Sequence, residues 1–194
     1  MPPPAAPTNP MARPPVAPTV REVSFDEEQI IVSKTDLRGI ITYANDVFQQ
    51  VSGYSEAELL GEPHNILRHP RMPACVFRLL WDTLKSGEEI FAYVLNLAKN
   101  GDEYWVFAHV TPSFDSRGQI VGYHSNRRVP FPDELPKVRG LYAQLLALEQ
   151  AAPDRSRGIE AGLGAVQSLL AAQGMDYAEF VFGLSEHTRM EAVA

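Results

Sequence analysis

Residues 90–114 read IFAYVLNLAKNGDEYWVFAHVTPSF, and the fold turns on this stretch. Two runs rich in β-branched and aromatic residues, Ile90 to Ala98 and Glu103 to Phe114, flank Lys99-Asn100-Gly101-Asp102. Asn-Gly between apolar runs is a strong hairpin signal, because the tight turn needs positive φ at its centre. Successive strand residues point to opposite faces. Ala92, Val94 and Asn96 therefore share a face of the first strand, and Tyr104, Val106, Ala108 and Val110 share one of the second. The other faces carry Phe91, Tyr93, Leu95, Leu97, Trp105 and Phe107, too apolar a surface to meet water. A cover is expected there: the C-terminal helices, a second subunit, or both.

Working outward, Asp115-Ser116-Arg117-Gly118 turns the chain into a further strand, Ile120 to Val129. Upstream, Ile30-Ile31-Val32-Ser33 and Ile40-Ile41-Thr42-Tyr43 flank the turn Asp36-Leu37-Arg38-Gly39 and read as another hairpin. Between the hairpins, Asn45 or Asp46 caps a short helix stopped by Gly53, and Ser55 with Glu58 forms a capping box for a second. Pro63 to Pro73 is too irregular for a regular element. Ala74 to Ser86 is helical by the spacing of Val76, Leu79, Leu80 and Leu84, with Gly87 as its stop. The order predicts an α+β fold, a five-stranded antiparallel sheet with short helices grouped on one face.

After Pro132, Leu135, Val138, Leu141, Leu145 and Leu148 recur three or four apart, predicting an amphipathic helix over 133–152 that Pro153 ends. A second helical run holds Ile159, Leu163, Val166, Leu169 and Leu170, and a last apolar cluster holds Phe180-Val181-Phe182 with Leu184. At the other end, 8 of the 16 prolines fall in the first twenty residues, where Arg13 is the only charge. That composition cannot offset the entropy of ordering. The expected division is a disordered proline-rich tail over 1–24, a globular domain over 25–130 and a helical C-terminal extension over 131–194.

A net charge of -7 with no block of like charge argues against nucleic acid as a partner. No stretch reaches the roughly 18 uncharged apolar residues of a membrane span, and the N-terminus is unlike a signal peptide. A cytoplasmic location is expected. Cys75 is the sole cysteine, which excludes an internal disulfide and CxxC metal sites; it reads as a structural thiol. No Ser-His-Asp order, HExxH or P-loop is present, and Gly162-Leu163-Gly164 follows no strand and lacks the third glycine of a dinucleotide loop. The chain is not expected to be an enzyme.

Particular residues carry a family resemblance. Ile41-Thr42-Tyr43-Ala44-Asn45-Asp46, Gln50-Val51-Ser52-Gly53-Tyr54, Pro63-His64-Asn65-Ile66-Leu67-Arg68-His69-Pro70 and Lys99-Asn100-Gly101-Asp102-Glu103-Tyr104-Trp105-Val106 resemble the FAD-binding PAS domain of bacterial aerotaxis receptors. The resemblance covers about residues 25–130. It implies a cavity between sheet and helices that holds FAD noncovalently, senses redox state or oxygen, and passes a signal on by protein contact. Where the family follows Arg-His-Pro with an acid, this chain has Arg71.

An isoalloxazine ring needs an apolar slot, a few amides and cationic donors for its phosphates. The implied cofactor-binding residues are Asn45, His64, Asn65, Arg68, His69, Trp81, Asn96, Tyr104 and His124. Arg68 and His69 would meet phosphate or else be solvated loop residues. Asn96 would supply an amide. Asn45 serves equally well as a helix cap, Trp81 as core, and His64 as a loop anchor. His124 sits where related light-sensing PAS domains place a flavin-bonding glutamine.

Haem is the rival cofactor, with His64 or His69 as ligand, although the helix Ala74 to Ser86 holds no histidine. A cysteinyl adduct is disfavoured, since His64 occupies the position of the reactive cysteine. A cofactor-free adaptor is the remaining alternative, with Tyr104, Trp81 and His124 filling the cavity. Without the receptor's membrane span and signalling coil, the chain is expected to act alone, as a homodimer through the outer sheet face or flanking helices. Its expected partner is a histidine kinase or chemotaxis component in motility or two-component signalling.

Overall fold

The Asn-Gly turn closes as its residues require. Gly101 sits at φ +90°, and a Cβ there would lie 2.4 Å from the Ala17 carbonyl oxygen, so conformation and space both call for glycine. The turn joins β3 (Ile90–Leu97) to β4 (Glu103–Phe114), which pair antiparallel with Ala92 opposite Ala108 and Asn96 opposite Tyr104. The remaining strands are β1 (Ile31–Thr35), β2 (Ile41–Ala44) and β5 (Ile120–Arg128). They complete an antiparallel sheet of order β2-β1-β5-β4-β3. The computed structural model describes residues 16–191, with side chains through residue 184.

Helices α1 (Asp46–Ser52) and α2 (Glu56–Leu59), a 3-10 turn over His64–Leu67, and α3 (Ala74–Lys85) lie between the two hairpins. Their caps follow the sequence. Asn45 Oδ1 accepts from Phe48 N at 3.1 Å, and Glu58 accepts from Ser55 N at 3.0 Å, satisfying donors that a helix start leaves unpaired. The core runs from Ile31, Phe48 and Leu59 through Leu80 and Leu84 to Val106.

The extension forms three helices, α4 (Leu135–Ala151), α5 (Arg155–Gln173) and α6 (Tyr177–Glu191). They supply the cover that the aromatic strand faces demand. Tyr142 of α4 donates to the Tyr93 carbonyl at 2.6 Å and packs its ring 5.9 Å from Trp105, while Phe182 of α6 lies 4.7 Å from Phe91. Tyr93, Leu95, Leu97 and Trp105 are consequently buried. Along β3 and β4, then, the chain covers its own sheet.

The tail expectation needs correction near its end. Residues 1–15 lie outside the described residues, but the backbone from Thr19 to Val23 is strapped along the end of β4. Thr19 N donates to Gly101 O at 2.7 Å, Glu103 N to Arg21 O at 2.9 Å, and Val23 N to Glu103 O at 2.8 Å. These are main-chain bonds to the edge of β4 that its pairing with β5 does not reach, which composition does not reveal. Glu22 also pairs with Arg139 of α4. Among the described residues, no helix is long and apolar enough to cross a membrane.

Candidate functional site: a cation-lined cavity under the sheet

A cavity of about 280 Å³ lies between the sheet, α3 and the 63–68 segment. Strand parity places its ceiling: Val94 and Asn96 from β3 and Ala108 and Val110 from β4 line it, as the hairpin reading expects. Small Ala108 leaves width at the middle of the sheet. From below come Phe77, Leu80 and Trp81 of α3, with His64, Asn65 and Arg68 from the irregular segment.

Five of the nine residues singled out from the sequence thus meet at one cavity: His64, Asn65, Arg68, Trp81 and Asn96. Trp81 is both wall and packing, standing edge-on to Tyr123 at 5.3 Å. Arg68 lays its guanidinium 3.8 Å over the Phe77 ring, a cation–π contact. His64 Nε2 lies 3.2 Å from Ser33 Oγ, and its ring stacks on Phe48. Burial, reinforced by the Arg127 charge, pushes His64 down to about 3, so it is neutral at physiological pH.

The other four do not line the cavity. Asn45 spends its amide on structure, accepting also from Val32 N at 2.9 Å and donating to Ile30 O at 2.8 Å; it clamps β1 to α1. His69 is buried on another side, with Nδ1 accepting from Arg71 N at 3.1 Å and Nε2 3.3 Å from Glu103 Oε2. Burial is the main cause that lowers its pKa. Tyr104 is fully buried, its hydroxyl without a hydrogen-bond partner among the described residues, and burial raises its pKa.

His124 sits on the opposite sheet face. The β4–β5 register sets Ser125 opposite Val110 and Arg127 opposite Ala108, and His124 opposite Thr111. The cavity side of β5 is therefore Tyr123, Ser125 and Arg127, and His124 Nε2 meets Asn126 Oδ1 at 3.1 Å instead. The residue that the resemblance implies on this strand, His124, thus stands one place from its cavity face.

Arg127 is what the sequence reading missed. It is 3% exposed, lies 4.6 Å over the Phe48 ring and donates from Nη2 to Ser33 Oγ. Its Nε and Nη1 have no partner among the described residues, nor do Asn96 Nδ2 and Arg68 Nε. Burial pulls Arg127 down to about 10, with Tyr104 acting the other way, so it stays charged at neutral pH. No Asp or Glu lines the cavity, whereas Arg38, Arg68 and Arg127 do. Buried donors without acceptors cost on the order of 1–3 kcal/mol each. Acceptor-rich or negatively charged groups would answer these donors, and Trp81 and Phe77 give the same cavity aromatic walls.

Cys75 belongs elsewhere. It is buried against α5, where a Cβ on Gly162 would come within 2.7 Å of its Sγ. Burial, with Glu149 adding to it, pushes its thiol up to about 12, which makes it inert as a nucleophile.

Comparison with known proteins places this geometry. Residues 41–127 match the family model described as the PAS fold. The aerotaxis receptor of Escherichia coli (strain K12) is 44% identical over 129 residues, 66% of this chain and 25% of the receptor. The nitrogen fixation regulatory protein of Klebsiella pneumoniae is 30% identical over 103 residues, 53% of this chain and 21% of that protein. The chain thus spans about a quarter or less of these relatives. Among solved structures, the light-state blue-light photoreceptor Aureochrome1 LOV is 26% identical with a TM-score of 0.50, covering 63% of this chain and 91% of that one. A light-oxygen-voltage domain solved in work on a flavin analogue shares the fold at 22% identity and a TM-score of 0.51, covering 59% and 86%. Fold, motif and register agree that this chain carries a PAS domain, similar in sequence to that of the aerotaxis receptor.

Proposed function

We propose that the cavity holds a flavin noncovalently, as FAD, and that the protein senses redox state or oxygen through it. The observation that carries this reading is a lining that holds three arginines, no carboxylate and several unpartnered buried donors. Asn96 Nδ2 and Arg127 Nε and Nη1 are buried and unpartnered among the described residues, at a cavity walled by Trp81, Phe77 and Leu80. A flavin offers a flat apolar ring, a carbonyl-rich edge and phosphate, which answer these groups in kind. When bound, it supplies reversible electron acceptance.

The chain's own residues do the rest. Asn96 and Arg127 orient the polar edge, Trp81 and Phe77 flank the ring, and neutral His64 holds the Ser33 hydroxyl toward the same side. Arg127 compensates negative charge that gathers at that edge. Cys75, inert and outside the cavity, leaves the binding noncovalent. Haem is less suited, because His64 Nε2 already faces Ser33 Oγ at 3.2 Å and His69 Nε2 faces Glu103.

Output passes through the helical extension to another signalling protein, of the histidine-kinase or chemotaxis kind, in the cytoplasm. With β3 and β4 covered by α4 and α6, a homodimer would form through the flanking helices. The test is the visible absorption spectrum of gently purified protein, followed by FAD titration. Flavin bands, or saturable uptake of FAD that Asn96→Ala and Arg127→Ala abolish, are expected. A spectrum that stays featureless after FAD addition overturns the reading, and a Soret band would replace it with haem.

A further inference from the structure

The cavity is too small to enclose the whole of the dinucleotide proposed above. At about 280 Å³ it lies at the small end of the roughly 300–1,000 Å³ of ordinary ligand pockets, enough for a ring system but not for two phosphates and an adenosine as well. One cavity residue opens onto a second space. Arg68 lines both the cavity and a cleft of about 330 Å³ between the 68–74 segment and helices α4 and α5. The far side of that cleft carries Arg155, the first residue of α5, with Gln150 and Leu146 of α4.

The charge balance of the cleft favours an anion. Glu149 is its carboxylate, yet Glu149 is committed: Oε2 accepts from Ala74 N at 3.0 Å and Oε1 from Cys75 N at 2.8 Å, so its charge is spent on the start of α3. Asp154, beside Arg155, is likewise turned away, accepting from Arg157 N at 2.9 Å and facing Arg157 Nε at 3.6 Å. Two guanidinium groups remain facing one space. Arg155 acts on Arg68 as a like charge, adding to burial in lowering its pKa, while Glu149 opposes the shift. An anion between the two would turn that repulsion into two attractions.

We infer that the ligand leaves the cavity past Arg68 and that its diphosphate lies in this cleft, held between Arg68 and Arg155. The inference rests on the flavin reading and deepens it: the site prefers a flavin dinucleotide to a mononucleotide, and helix α5 of the C-terminal extension is part of it. The extension would then touch the ligand directly rather than through the sheet alone.

Binding of FAD, FMN and riboflavin by the full chain, followed by quenching of flavin fluorescence, tests this. FAD should bind the wild-type chain more tightly than riboflavin. Arg155→Ala, at an exposed position, should weaken FAD about tenfold or more, the worth of one charge-assisted hydrogen bond. Riboflavin affinity should not change. Unchanged FAD affinity in Arg155→Ala overturns the inference while leaving the flavin reading intact. Failure of all three flavins to bind the wild-type chain overturns both.

Discussion

At the scale of single residues, the cavity is organised around charges and polar groups that folding alone would not favour. Arg127 is buried with two nitrogens unpartnered among the described residues, a desolvation cost that the ligand-free protein bears in full. Arg127→Met should therefore stabilise the ligand-free chain, by about 1 kcal/mol or more, while abolishing ligand binding; urea denaturation and FAD titration of the same variant check the two halves. His64 gives a pH dependence. Its folded value of about 3 lies below the ordinary histidine value of 6.5, so between those limits the unfolded chain binds more protons, and stability is lost as pH falls through the window. From pH 7 to pH 5 this amounts to about 2 kcal/mol. His69 shifts in the same direction, so the His64 share is isolated by His64→Gln, whose denaturation midpoints at the two pH values should converge by that amount. Arg71, the departure from the aerotaxis pattern, has a physical role: with His69 it meets the buried Glu103 carboxylate.

At the scale of elements, most of the fold was legible and part of the site was not. Turns, caps and helical spacing are local, and each of Gly101, Asn45 and Ser55 behaves as its position in the sequence requires. Which side of β5 faces the cavity is not local. It depends on pairing with β4, where Ala108 meets Arg127, and that register cannot be read from β5 itself. Analogy alone favours His124, and nothing local in Arg127-Arg128 says that the first arginine turns inward while the second is exposed. The strap at Thr19–Val23 was hidden because main-chain hydrogen bonds leave no side-chain pattern. The junction of α3 with the extension is equally nonlocal. Glu149 caps α3 from α4, and Gly162 brings α5 onto Cys75. Glu149→Ala should cost about 1–2 kcal/mol, the ordinary worth of a lost N-cap, with Glu149→Gln in between. Gly162→Ala should cost about 1–3 kcal/mol through overpacking. Thermal or urea unfolding measures both, and a Gly162→Ala chain as stable as wild type would show that α5 does not press on α3.

At the scale of the whole molecule, the sheet works as a partition. One face closes the cavity and the other carries α4 and α6, so the cavity lining and the surface under the extension are back to back on β3 and β4. Asn96 lines the cavity while its neighbours Leu95 and Leu97 are buried on the outer side. On the function proposed above, a ligand that shifted one strand would move both faces together, and only an element poised between two arrangements would convert that into a signal. The extension is also a structural necessity for the sheet. Tyr93, Leu95 and Trp105 are at most 5% exposed, and Tyr142, Val138 and Phe182 pack over this part of the sheet. A chain ending at residue 130 would leave that aromatic surface bare, larger than an isolated soluble domain tolerates. Such a chain should self-associate, and light scattering should find species larger than those the full chain forms at the same concentration. Tyr93 also loses the acceptor Glu134, which lies 2.8 Å from its hydroxyl, and the donor Tyr142 on its carbonyl, so truncation removes polar partners as well as apolar cover. A truncated chain that associates no further than the full one and is as stable would mean that α4 and α6 rest on the sheet without holding it, and any coupling of the cavity to the extension would then have to run through α3 and Glu149 alone.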